Sequence, residues 1–194
     1  MADTKSESTN YQDKLIRSFG RIKSRKLSDH KNHLFDNLLP KYQINFSTDL
    51  DLSGNNILEI GFGFGDFSYE QSKNNPDSNF YGFEPHINGV VNLLQFLEKD
   101  PLKNIKISSE DIRENLNKFP NGFFDKIYIL FPDPWPKLKH FKRRLINVKF
   151  LDEILAPKMK KDSDIIIATD HDSYKRLIFS QILLSKKFSW LAKD

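Results

Sequence analysis

Short, mostly apolar runs alternate along the chain with longer stretches in which apolar positions return every three or four residues. Residues 57–60 (ILEI), 79–83, 105–108, 125–131 (DKIYILF) and 164–169 (DIIIAT) read as strands. Residues 66–73, 86–99, 141–155 and 173–184 read as the helices between them. Near the start, Leu34, Phe35, Leu38 and Leu39 fall at helical spacing over 29–39, with Pro40 placed to stop that helix. The strands read as continuous rather than alternating apolar runs, as they do when both faces of a sheet are covered. The expected fold is therefore α/β: an open, mostly parallel, doubly wound Rossmann-like sheet with helices on both faces. On such sheets ligands sit beyond the carboxyl ends of the strands.

The pattern fades at the front of the chain. Residues 1–10 are polar and aperiodic and read as a disordered tail. Residues 11–26 carry Lys14, Arg17, Arg21, Lys23, Arg25 and Lys26 with no acid after Asp13, which makes a basic arm. The division is thus a tail (1–10), a basic arm and helix (11–40), and one main domain (41–194), consistent with a length of 194 residues. Lys158, Lys160 and Lys161 read as a solvated turn.

Composition adds exclusions. There is no cysteine, which rules out disulfides, thiolate metal sites and a Cys nucleophile, and no metal is expected. No stretch approaches the roughly 20 apolar residues of a membrane span, and the first residues are too polar for a signal peptide, so the default location is cytoplasmic. Thirty Lys and Arg stand against 26 Asp and Glu, a formal net charge of +4 that matters where its basic residues gather.

The first strand runs into Glu59-Ile60-Gly61-Phe62-Gly63-Phe64-Gly65-Asp66. Three alternate glycines let the backbone turn tightly and approach a ligand that a Cβ would obstruct. A plain strand-to-helix turn would use the same residues. What favours a nucleotide-like ligand is Glu84, at the end of the second strand, where a carboxylate can accept from both hydroxyls of a ribose. The dinucleotide fingerprint G-x-G-x-x-G is not met, because Gly65 arrives one residue early, so a dehydrogenase is the weaker option. The short turn together with Glu59 resembles the S-adenosylmethionine methyltransferases. That resemblance places an acid near the adenine after the third strand, where Asp111 stands with Glu110 as its rival.

After the strand at 125–131 comes Phe131-Pro132-Asp133-Pro134-Trp135-Pro136-Lys137, then Leu138-Lys139-His140-Phe141-Lys142-Arg143-Arg144. Prolines on both sides of Asp133 stiffen its backbone and remove main-chain donors. Singly, the prolines could end a strand, Trp135 could fill the core and the basic run could be a solvated face. Together at a strand's carboxyl end they suggest a substrate loop. The passage resembles the bacterial tRNA (guanine-N7)-methyltransferase family, whose signature reads F-P-D-P-W-x-K followed by a basic cluster. Arg17-Ser18-Phe19-Gly20-Arg21, Gly82-Phe83-Glu84-Pro85-His86 with Gly89-Val90, and Ala168-Thr169-Asp170 extend the likeness over roughly residues 15–175.

The resemblance implies an S-adenosylmethionine-dependent enzyme that forms N7-methylguanosine at position 46, in the variable loop of tRNA, acting as a monomer or weak homodimer. It places Glu59, Gly61, Gly63, Gly65, Glu84, Asp111 and Asp133 around the cofactor, with Asp133 also catalytic. Lys137 and Asp170 fall at the guanosine, and Lys139, His140, Lys142, Arg143, Arg144, Arg17 and Arg21 on the RNA. Leu138 and Phe141 depart from the family's basic or polar pattern. The family's C-terminal T-x-x-E motif has no counterpart before Asp194, so the sheet is expected to lack its last strands. Two other readings stay open: a partial RNA-binding relic or subunit without turnover, and a methyltransferase with a different acceptor.

Overall fold

The computed structural model describes residues 26–191. The tail at 1–10 and most of the basic arm, including Arg17 and Arg21, lie outside the described residues. In chain order the regular elements are helix α1 (Asp29–His33), helix α2 (Leu39–Tyr42), strand β1 (Asn55–Ile60), helix α3 (Asp66–Asn74), strand β2 (Ser78–Phe83), helix α4 (Ile87–Lys99), strand β3 (Ile105–Ser108), helix α5 (Ile112–Asn115), strand β4 (Phe124–Leu130), strand β5 (Met159–Ala168) and helix α6 (Asp172–Leu184).

The strands form one five-stranded sheet in the order β3-β2-β1-β4-β5, with every pairing parallel. Two apolar cores flank it, as the continuous apolar strands demand. On one face α3, α4 and the N-terminal helices bury Tyr69, Val90, Leu93, Leu94, Leu97 and Leu34. On the other, Phe119, Phe123, Phe150, Leu155, Tyr174 and Ile178 pack around Ile127 and Ile129. The expected doubly wound sheet is the one observed, and register sets the site. Glu59 lies beside Gly82 on β2 and Tyr128 on β4, so the ends of β1, β2 and β4 open at one rim.

Four expectations are corrected. Pro40 does not stop the first helix: residues Leu34–Leu38 form a π-helical turn, and Pro40 falls in the first turn of α2 directly after it. The wider turn resets the hydrogen-bond ladder, so a residue without N–H is tolerated there. The single helix expected over 141–155 is two pieces, a 3₁₀ segment Leu138–Arg143 and a π-helical segment Phe150–Leu155. Strand β5 begins at Met159, ahead of the apolar run. Its polar start pairs Met159 with Phe124 across a register shift, and Asp162 there has φ 59°. Two of the three lysines read as a solvated turn are engaged: Lys158 Nζ donates to Phe119 O (2.8 Å), and Lys160 Nζ donates to Gly54 O (3.1 Å) and Asp125 (2.7 Å), while Lys161 is exposed.

Candidate active site

A cleft of about 880 Å³ opens where the carboxyl ends of β1, β2 and β4 meet, lined by Glu59, the glycine turn, Glu84, Asp111, Phe131, Asp133, Trp135 and Arg143. A larger groove of about 1460 Å³ runs along the outer side of β5 and α6. It holds neither the glycine turn nor Glu59, Glu84 and Asp133, so the chemistry belongs to the smaller cleft.

The glycine turn has the conformation its sequence requires. Gly61, Gly63 and Gly65 have φ of 77°, 56° and 84°, a region that a Cβ disfavours. At Gly63 an added Cβ would meet nothing within 4 Å, so the backbone itself faces the cleft. A fourth glycine supports it from behind. A Cβ on Gly89 of α4 would lie 2.1 Å from the Gly63 carbonyl oxygen, so α4 can approach the turn only without a side chain there.

Glu84 accepts from the backbone N–H of Gly63 (2.9 Å) and of His86 (2.8 Å), and so ties the turn to the start of α4. Burial pushes its carboxyl above the ordinary value, and those two N–H groups oppose the shift. Glu59 is 6% exposed and accepts from the Ser68 hydroxyl of α3. Burial raises its pKa to about 7, with Ser68 lowering it and the nearby Glu84 carboxylate adding to the rise. A cation entering this cleft would meet two carboxyl groups that burial has left short of compensation.

Asp111 is less free than its sequence position implies. It caps α5 by accepting from Arg113 N (2.9 Å), and it binds the Arg113 guanidinium through Nε (3.0 Å) and Nη2 (2.7 Å). It still lines the cleft, whereas its rival Glu110 does not.

Asp133 is exposed on the loop beyond β4. Phe131 and Trp135, each followed by proline, have φ of 50° and 40°. A residue before proline is normally extended, so both are strained, at a cost of about 1–3 kcal/mol each. Prolines alone did not foretell this.

The basic cluster separates into two groups. Lys137, Lys139 and Lys142 are exposed, while His140 sits edge-on to Trp135 with centroids 5.6 Å apart. Its imidazole is held below the ordinary value by desolvation and by Arg143, Lys139 and Lys137. The Arg143 guanidinium lies 4.9 Å from the Trp135 ring centroid. Arg144, expected on the RNA, is instead 6% exposed and turned inward, with Nε donating to Pro134 O at 2.7 Å. Phe141, a departure from the family pattern, lies under that guanidinium at 3.7 Å. Lys137 and Asp170 are exposed on neighbouring loops outside the cleft wall. His86 and His171 occupy the N-cap positions of α4 and α6, and His86 also lines the cleft.

Sequence reasoning assigned no role to Ser68 or Gly89. Gly89 stands in the motif that begins at Gly82, but Ser68 gives no signal until α3 is seen to lay its first turn against Glu59.

The family model described as "Putative methyltransferase" matches residues 53–194. A tRNA (guanine-N(7)-)-methyltransferase of Wolbachia pipientis is 43% identical over 152 residues, covering 76% of this chain and 68% of that protein. One from Caulobacter vibrioides is 36% identical over 178 residues, covering 89% of this chain and 78% of that protein. The chain belongs to the tRNA (guanine-N(7)-)-methyltransferase family. Among solved structures, a SAM-dependent O-methyltransferase from Thermotoga maritima aligns with TM-score 0.51 at 12% identity, covering 84% of this chain and 52% of that one. At that identity the likeness concerns the methyltransferase fold alone. No described helix is long and apolar enough to cross a membrane.

Proposed function

We infer that this methyltransferase modifies N7 of a guanosine in the variable loop of tRNA, with S-adenosylmethionine as the methyl donor. The observation that carries the reading is the convergence, at one rim of the sheet, of the bare glycine turn, the buried Glu59 and half-buried Glu84, and Asp133 on a strained loop beside exposed lysines.

The residues fit that cofactor. The backbone at Gly63 is open to the cleft, as a nucleoside wedged against the turn requires. Glu84, at the end of β2, has the placement to accept from ribose hydroxyls. Glu59 and Glu84 favour a ligand carrying positive charge. S-adenosylmethionine supplies an electrophilic methyl group on a sulfonium.

Guanine N7 has an in-plane lone pair and no proton, so no general base is needed, and positioning supplies most of the acceleration. As the N–C bond forms, positive charge accumulates on the purine. A carboxylate held by a stiff loop is prepaid stabilisation for that charge, and Asp133 is the group in place to give it. Lys139 and Lys142, with Arg17 and Arg21, contact phosphates and add affinity without reading sequence.

The deciding experiment incubates the chain with labelled S-adenosylmethionine and bulk tRNA, with protein and small-molecule acceptors as controls, and maps the product. N7-methylguanosine in the variable loop is expected. Binding of cofactor and tRNA without turnover would mark a relic, and label on another acceptor would mark a different methyltransferase.

A further inference from the structure

The loop that carries Asp133 is unusually hard to anchor. Pro132, Pro134 and Pro136 contribute no N–H, so the main chain can be tied down chiefly through its carbonyls, by a donor from elsewhere. One such donor is present: Arg144 Nε bonds the carbonyl of Pro134, the residue directly after Asp133, at 2.7 Å.

Everything else about Arg144 fits an anchor better than a phosphate ligand. It is 6% exposed, whereas Lys139 and Lys142 are open to solvent. Its guanidinium lies 3.7 Å from the Phe141 ring centroid and 5.1 Å from that of Tyr174, which is fully buried on α6. The Tyr174 hydroxyl in turn accepts from Ile146 N at 3.4 Å, just past Arg144 in the chain. Burying a guanidinium against a carbonyl and two rings, with its Nη2 lacking a hydrogen-bond acceptor, is costly and needs a return.

We propose that Arg144 is a positioning residue that clamps the 131–136 loop to the base of α6, fixing Asp133 in the cleft, and that it makes no phosphate contact. Tyr174 and Phe141 form the seat of the clamp. A hydrophobic residue at position 141 amid a basic run then has a reason: a cation in its place would repel the buried guanidinium. Lysine cannot replace Arg144, because it lacks the planar face and the fork.

The catalytic part rests on the proposed methyl transfer, so the test includes a readout that does not. In Arg144→Lys, hydrogen exchange of the Phe131 amide, which bonds the Ala168 carbonyl at 2.8 Å at the root of the loop, should quicken by about tenfold or more, with β2 and α4 unchanged, as expected for a local opening. Turnover at saturating tRNA should fall by ~10- to 100-fold through misplacement of Asp133. S-adenosylhomocysteine binding and the salt slope of tRNA binding should stay at wild type, while Lys142→Ala lowers that slope by about one. Phe141→Leu should weaken the same clamp, so combining it with Arg144→Lys should cost less than the two effects added.

Unchanged exchange of the Phe131 amide overturns the proposal, and so does a salt slope lowered by about one in Arg144→Lys. Additive effects of the two substitutions also overturn it. A wild-type chain that methylates nothing would defeat the functional reading instead, leaving the clamp to be decided by exchange and salt slope.

Discussion

Glu59 combines burial, a hydroxyl partner and a neighbouring carboxylate, and burial wins, leaving its pKa near 7. The folded chain therefore keeps a proton that the unfolded chain gives up above the ordinary carboxyl value of 4.5. The associated stability is complete at low pH and is lost as pH rises through about 7. A cationic cofactor prefers the ionised acid, so binding should release a proton, and affinity should climb with pH up to about 7 and then level off. Calorimetry at several pH values checks this, and Glu59→Gln should flatten the profile. At Asp133, substitution by Asn keeps the shape and removes the charge. Turnover should drop by roughly 100-fold with cofactor binding preserved, and wild-type turnover would remove Asp133 from its role. Both acids were legible in the sequence because each stands at a strand end in a recognisable setting. The inward turn of Arg144 was not, since a run of basic residues looks the same whether a guanidinium faces water or packs on Tyr174. The Arg113 pairing of Asp111 was hidden for a similar reason: contacts two residues apart depend on a cap geometry that spacing does not reveal.

At the scale of elements, the packing of α4 on the glycine turn is the tightest requirement. Gly89→Ala would place a methyl 2.1 Å from the Gly63 carbonyl oxygen, and backbone cannot yield as a side chain can. We expect destabilisation of about 1–3 kcal/mol, read from denaturant midpoints, together with weaker S-adenosylhomocysteine binding because the turn is displaced. Normal affinity in the Gly89→Ala protein would show that the turn is not shaped from behind. The strands were foreseen well because both of their faces are apolar, which leaves a continuous signal. The misreadings fall where a local feature depends on its partners. Leu34–Leu38 widens its turn ahead of Pro40, and the polar start of β5 becomes a strand only because Phe124 pairs with Met159. The helix expected over 141–155 breaks where Arg144 leaves the surface and the chain dives under α6.

For the whole molecule, charge is arranged by position rather than by amount. A net charge of +4 is slight, yet the exposed Lys137, Lys139 and Lys142 lie on the loop and turn that follow β4, next to the cleft that holds the buried Glu59 and half-buried Glu84. The cleft thus attracts a cation while its border attracts a polyanion. Lys139→Ala and Lys142→Ala should each reduce the slope of log affinity for tRNA against log salt by about one and leave cofactor binding untouched. An unchanged slope would exclude the phosphate contacts. The same border carries its own optical probe. Trp135 lies against the Arg143 guanidinium and the edge of His140, groups that respond to an arriving phosphate, whereas Trp190 packs far along the chain against Phe179. With Trp190 replaced by Phe, indole emission from Trp135 alone would follow RNA docking in real time, with no label attached to either molecule.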